Sequence, residues 1–409
     1  MKNLNNIKQY LNNHLYKNSF FLVLSRVFNV AAGFIFWMIA ARFYSIEDVG
    51  LATALISSLG LVILFSRFGL DFSIIRFLPG SDKSKVFSTC LIVTTVSAFI
   101  VGIIYISGIS FFSPGLSFIQ DSGYAMVFLV FAVMNSVAAT TGNAFVAMRR
   151  AGHFFFQNVL LASRILLLIP LVFLGSFGIF GSMGLAYLIA ALFAFLILSR
   201  LIVFDLRVDK QFIKGSFRFS SGNYMSNVLL AVPTLVMPIL ILNLLGEAEA
   251  AKYYIAFAIG NLVLIIPDAL STSLFVEGSH GESLRKNVIR AGLAIYSFLV
   301  PAVILIYFFG DFLLGLVGKD YAEASELLRL LALSSFFVAV HSLFVPVQNV
   351  RMRVESIVKL NLLRFLLLLG LSYVLILKFG IVGVGYAWMV TYAVLGLGIV
   401  VVVKRMGWF

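Results

Sequence analysis

Charge is the scarcest commodity in this chain: only 11% of its 409 residues are Asp, Glu, Lys or Arg, against roughly 25% in a typical soluble domain. With 61% apolar residues, there is too little polar surface to clothe a water-soluble helical globule. Cysteine is almost absent. The single Cys90 excludes an intramolecular disulfide framework and says nothing of redox compartment. The four histidines, His14, His153, His280 and His341, are scattered without metal-ligand spacing. Also missing are a nucleophile elbow, a phosphate-binding glycine loop, a zinc pattern and an acidic metal motif. The longest loops on the sparsely charged face, near 107–122 and 311–326, are too short for a catalytic domain. A membrane glycosyltransferase, ligase or polymerase is therefore the weaker alternative, and a non-enzyme is expected. Strict two-residue alternation is lacking too, which excludes a closed membrane barrel.

What is present is a series of long apolar runs. Allowing about twenty residues per crossing, the sequence predicts an all-α polytopic membrane protein with twelve spans. They fall near 19–41, 49–70, 86–106, 123–145, 157–177, 181–203, 219–243, 252–275, 289–310, 325–347, 358–377 and 382–403. The first apolar run passes twenty residues without a small-residue cleavage site, so an uncleaved first span is expected. Leu4, Ile7, Leu11 and Leu15 before it recur at helical spacing, as in an interfacial anchor. The segment 71–85, with Phe72, Ile74, Ile75, Phe77 and Leu78 around Arg76, reads as an interfacial loop.

The net charge of +13 would suggest nucleic acid in a soluble domain. Here the basic residues lie in short loops, so the charge is a topology signal and nucleic-acid binding is not expected. The N-terminus, the loops after even-numbered spans and the C-terminus hold most of the thirty Lys and Arg. The opposite face holds Arg42, Lys252, Lys319, Arg329 and Lys378. By the positive-inside rule both termini are cytoplasmic, in a multi-pass protein of the cell membrane.

A shift of 202 residues lays Phe177-Gly178-Ile179-Phe180-Gly181 on Phe379-Gly380-Ile381-Val382-Gly383, Arg149 on Arg351, and Glu47 on Glu249. One offset close to half the chain predicts a duplicated six-helix unit. The expected domains are an N-terminal lobe over 1–203, a basic cytoplasmic linker over 204–218 and a C-terminal lobe over 219–409. Six is even, so the repeats enter from the same side and are parallel. Such repeats generally place a substrate path between lobes that rock to expose it alternately.

Three arginines interrupt the apolar runs: Arg26, Arg164 and Arg364, each about seven residues inside its span. An ionised side chain there costs about 2.5–3.5 kcal/mol on insertion scales. At 1.5 Å per residue all three would lie about 10 Å below the cytoplasmic surface. Arg67, at the end of the second span, is placed to join them. Guanidinium forks suit phosphate oxygens, so a diphosphate headgroup fits such a cluster. The competing reading is that each side chain snorkels to the interface. Asn29, Asn143, Asn223 and Asn227 either bind sugar hydroxyls or link helices. Asp268, beside Pro267 in the eighth span, either pairs with an arginine or carries a coupling cation, a proton or sodium. Pro233, Pro238 and Pro267 would kink the start of the second lobe.

The stretch Ala40-Ala41-Arg42-Phe43-Tyr44-Ser45-Ile46-Glu47-Asp48-Val49-Gly50, with Phe68-Gly69-Leu70 and Ile75-Arg76-Phe77, resembles the opening of Wzx-type polysaccharide-biosynthesis flippases. The pairs Gly178/Gly181 and Gly380/Gly383, and Gly318-Lys319-Asp320-Tyr321, resemble the same family, so the likeness runs through the whole chain. It implies the fold of the multidrug/oligosaccharidyl-lipid/polysaccharide (MOP) exporter superfamily, with two six-helix lobes around a cationic cavity. It implies a polyprenyl-(di)phosphate-linked glycan as cargo, moved to the outer leaflet, with membrane lipids and glycan polymerase or assembly proteins as partners. A cation-coupled multidrug exporter is the rival within the superfamily.

Overall fold

The computed structural model describes residues 14–279, 284–351 and 353–405, and among these it is helical without a strand. Leu4, Ile7 and Leu11 lie outside that range. The first six spans are built from α1 (His14–Phe43), α2 (Ile46–Ser66), the short α3 (Leu70–Phe77), α4 (Lys83–Ser107), the single turn α5 (Ile109–Phe112), α6 (Ser122–Ala147), α7 (Ala151–Leu161), α8 (Arg164–Leu168) and α9 (Ser176–Ser199). Then follow α10 (Lys210–Leu245), α11 (Glu247–Ser279), α12 (Leu284–Val317), α13 (Ser325–Val350), α14 (Val354–Phe379) and α15 (Val382–Arg405). Among the described residues, twelve helical stretches are long and apolar enough to cross a membrane. The expected twelve-span, all-α architecture is therefore the observed one.

Two of the boundaries that differ from the apolar runs have local reasons. The second span ends at Ser66 because Phe68 and Gly69 take positive φ, 49° and 76°, conformations that stop a right-handed helix. The fifth starts six residues earlier than the hydropathy suggests and covers Ala151–Leu168. It is broken at Ala162 and Ser163, where α7 gives way to α8. The N–H groups of Ile165 and Leu166 reach only three residues back, to the carbonyls of Ala162 and Ser163, a 3₁₀ tightening.

The chain divides into two compact units, Met1–Val228 and Leu229–Phe409. The boundary falls within α10, a 36-residue helix containing Pro233 and Pro238. The stretch 200–209 before it lacks helix, and residues 210–218 of the expected 204–218 linker are helical. In the first unit α4 packs on α6, α6 on α9, and α1 on α7. A core near the basic end joins Ile74 and Leu78 of α3 and its continuation to Phe87, Cys90, Phe145 and Leu198, all fully buried. In the second unit α13 is central, packing against α11, α12 and α15, while α14 leans on α15.

The internal duplication is visible in backbone conformation. Gly175 before α9 has φ 56°, ψ −135°, and Gly380 before α15 has φ 58°, ψ −145°. Arg150 before α7 (φ −104°, ψ 49°) matches Arg353 before α14 (φ −97°, ψ 58°). Their N–H groups bond five residues back, to Phe145 and Gln348. These pairs differ by 205 and 203 residues, which corrects the uniform shift of 202. Gly178 corresponds to Gly383, not to Gly380. Each donates its N–H to the preceding cap glycine, at 2.8 and 3.1 Å. A Cβ on Gly178 or Gly383 would sit 2.1 or 2.3 Å from a backbone carbonyl oxygen, of Leu171 or Leu375.

In the first unit the end opposite the basic loops is tied by polar side chains. Tyr44 donates its hydroxyl to the Leu168 carbonyl at 2.6 Å, satisfying an acceptor freed by the end of α8. Asp48 accepts from the Ser176 N–H at 2.7 Å and from Ser45 Oγ at 2.8 Å. Burial, with the Asp48 charge nearby, pushes the Tyr44 phenol up to about 12. The motif Tyr44-Ser45-Ile46-Glu47-Asp48 is thus a joint between the α1–α2 turn and the start of α9.

Candidate functional site

Arg364 is the most buried of the three intramembrane arginines. It lies mid-way along α14, only 5% exposed, with Nε donating to Tyr392 Oη at 2.7 Å and Nη1 to the Leu230 carbonyl at 3.3 Å. No carboxylate lies within ion-pair distance of it among the described residues. Helical spacing assembles its neighbours. Asn361 precedes it by three residues on α14, and Trp388 precedes Tyr392 by four on α15, so each pair shares a face. From α13, His341 sets its ring edge-on to Tyr392, centroids 5.8 Å apart, and its side chain hydrogen-bonds with that of Asn361. Trp388 lies 5.4 Å from Tyr392.

Several polar atoms of this centre are buried without a partner: His341 Nε2 and Trp388 Nε1, with Thr391 Oγ1 on the same helix as Trp388. Buried polar groups are nearly always paired, and each unmet one costs about 1–3 kcal/mol. A buried guanidinium of unopposed charge with unmet polar atoms around it has the donor chemistry that an anion would complement. Of this group the sequence singles out Arg364 alone. His341 enters there only as a scattered histidine, although the Asn361/Arg364 and Trp388/Tyr392 spacings are readable.

The first unit treats its arginines differently. The Ala151 N–H donates to Asn18 Oδ1 at 3.2 Å, which aligns the starts of the first and fifth spans. From that level Arg26 is eight residues along α1, about 12 Å, whereas Arg164 is thirteen along α7 and α8, about 20 Å. The expected common depth of about 10 Å does not hold, because the fifth span begins earlier than its apolar run. Arg26 is exposed on α1. Arg164 is half-buried, its guanidinium 5.3 Å from the Phe36 ring centroid and its Nε without a partner. An Nη nitrogen lies 3.8 Å from where Gly33 would carry a Cβ, so the fork lies against α1 at this glycine.

Arg67 caps α2 and sits by Asp71 and Tyr187. Burial lowers its pKa against the opposing pull of Asp71, and burial likewise raises the Asp71 carboxyl against Arg67. Asp71 is thus a nearby opposite charge to Arg67, without an ion pair between them among the described residues. Asn29, Asn143 and Asn227 are half-buried, and Asn223 is exposed, donating to the Phe219 carbonyl within its own helix at 2.9 Å. Asp268 is exposed at the end of the eighth span and accepts a hydrogen bond from Ser342 Oγ at 2.8 Å. Among the described residues no group of three or more His, Cys, Asp and Glu is arranged for a metal.

The fold has solved counterparts. The lipid II flippase MurJ, in an inward closed conformation, superposes with a TM-score of 0.73 at 15% identity, over 95% of this chain and 87% of that one. An inward-facing multidrug resistance MATE family transporter of the MOP superfamily gives 0.66 at 16% identity, over 94% and 95%. The MATE multidrug transporter DinF-BH gives 0.67 at 15%, over 97% and 96%. No protein-family model and no curated protein sequence matches the chain. These likenesses show a fold shared with the solved structures of a lipid flippase and of multidrug transporters.

Proposed function

We propose that this chain is a flippase. It carries a polyprenyl-(di)phosphate-linked oligosaccharide from the cytoplasmic to the outer leaflet of the cell membrane by alternating access, for surface polysaccharide or glycan synthesis, with both termini cytoplasmic. The observation that supports this reading above others is Arg364: a buried cation, unanswered by a carboxylate among the described residues, beside unmet polar atoms of His341 and Trp388. Phosphate oxygens supply the missing charge and acceptors, while asparagine amides suit sugar hydroxyls. Within the first unit, Arg164, with its unpartnered Nε beside Gly33, is a separate candidate for an anionic group, and exposed Arg26 is a candidate headgroup contact nearer the surface.

The test is translocation of a labelled lipid-diphosphate oligosaccharide in proteoliposomes. A flippase moves it with unchanged mass, and Arg364→Ala slows that movement at least about tenfold, the loss of one or two charge-assisted hydrogen bonds at about 1.5–3 kcal/mol each. Unimpaired transport in that variant rejects the site, and a product of altered mass makes the chain an enzyme. A second reading, a cation-coupled exporter of amphipathic drugs, draws support from the exposed Asp268 carboxylate on the eighth span. It predicts drug efflux lost in Asp268→Asn and no glycan phenotype.

A further inference from the structure

A cavity of about 230 Å³ lies in the second unit, away from Arg364. Its floor is the last three turns of α13 and its walls are α12 and α15, contributing Tyr296 and Val400 among others. Polarity along the floor is graded. Arg351 stands just beyond the end of α13, Gln348 lies about 4.5 Å further in, and Val347, Phe344 and Val340 carry an apolar surface to about 16 Å below the arginine. Tyr296 closes the deep end with its ring, its hydroxyl being spent on the Phe336 carbonyl at 3.0 Å.

Gln348 is the informative residue. It is fully buried, yet neither its Oε1 nor its Nε2 has a partner, an arrangement that native interiors avoid. Arg285, Lys286, Arg353 and Lys404 are exposed within three residues of lining positions in sequence. Such basic residues attract anionic lipid headgroups.

We propose that this cavity binds one anionic glycerophospholipid of the surrounding bilayer. Its phosphate sits at Arg351, the amide N–H of Gln348 donates to the ester carbonyl, and one acyl chain runs over Val347, Phe344 and Val340 to Tyr296. The order phosphate, ester, hydrocarbon follows the order of side chains. A polyprenyl phosphate has hydrocarbon directly after its phosphate and leaves Gln348 unmet, so the bilayer lipid fits better than the carrier of the cargo. The site does not depend on what the protein transports.

Native mass spectrometry of the full chain, delipidated in neutral detergent, tests this with three added lipids: phosphatidylglycerol, phosphatidylcholine of the same chains, and undecaprenyl phosphate. The expected result is one retained phosphatidylglycerol, with phosphatidylcholine about tenfold weaker. Gln348→Leu and Arg351→Gln should each weaken phosphatidylglycerol about fivefold or more. Val400→Trp replaces a wall residue that is 55% exposed, so it blocks the cavity without emptying the core, and it should abolish retention at unchanged thermal stability. Equal retention of both phospholipids, or undiminished phosphatidylglycerol binding in Val400→Trp, would overturn the proposal. Tighter retention of undecaprenyl phosphate, lost in Val400→Trp, would overturn it in favour of the lipid carrier.

Discussion

The two units build the same turns from different chemistry. Before α9, Gly175 is held by side chains: a Cβ there would lie 2.6 Å from Asp48 Oδ1, and Tyr44 and Ser45 complete the joint. Before α15, Gly380 has the same backbone angles, yet nothing lies within 4 Å of where its Cβ would be. The arginines invert that contrast. Arg164 stands at a broken helix, half-buried with one nitrogen unmet, whereas Arg364 sits in the unbroken α14 among polar side chains. Measured from the matched residues Arg150 and Arg353, Arg164 is three residues deeper, about 4.5 Å. The two arginines therefore do not occupy equivalent positions in the two units.

The sharpest way to break this contrast is to remove the cations one at a time. Arg364→Ala should cost the most transport, Arg164→Ala less, and exposed Arg26→Ala least, measured as initial translocation rates in proteoliposomes. Arg364→Lys should recover little, because an ammonium cannot reproduce the fork that reaches both Tyr392 Oη and the Leu230 carbonyl. An equal loss at all three positions would erase the asymmetry.

The glycines give a stability counterpart. Gly178→Ala and Gly383→Ala push a methyl against a carbonyl in either unit, and each should lower the thermal midpoint strongly, by about 3 kcal/mol or more for a clash that rotamers cannot relieve. Gly175→Ala adds the clash with Asp48 to the strain of positive φ. Gly380→Ala meets strain alone, about 1–2 kcal/mol. Tyr44→Phe, which strips one buried hydrogen bond, should cost about 1 kcal/mol.

The smallest effect is a pH dependence arising at Asp71 in the first unit. Burial holds the Asp71 carboxyl above its ordinary value of about 3.9, so the folded state binds its proton more tightly than the unfolded chain. Stability should therefore fall as pH rises from that ordinary value through the raised one, and level off beyond it. Asp71→Asn should flatten this segment of a plot of thermal midpoint against pH in detergent.

The twelve apolar runs were legible because bilayer thickness sets a minimum length that composition alone reveals. The duplication was legible too, though one turn out of register at Gly178 and Gly380. Residue identity aligns the two Phe-Gly-Ile runs, whereas the backbone aligns glycines that each donate to the preceding cap glycine. The break at Ala162 and Ser163 was hidden, since neither residue is a helix breaker by type. The depth of Arg164 was hidden for a related reason: Asn18 sets the start of the fifth span through a contact 133 residues away. Arg364 was visible as a charge in an apolar run, but the surrounding His341, Asn361, Trp388 and Tyr392 come from three helices, and no local pattern announces them.

One measurement bears most directly on the buried arginine: equilibrium binding of a polyprenyl-diphosphate oligosaccharide, its monophosphate and its phosphate-free alcohol to the purified chain and to Arg364→Met, which keeps volume and removes charge. The account predicts that the wild type ranks the ligands diphosphate, monophosphate, alcohol, and that Arg364→Met remains folded while losing most of that ranking. An unchanged ranking in Arg364→Met, or equal affinity of the wild type for all three, would contradict it.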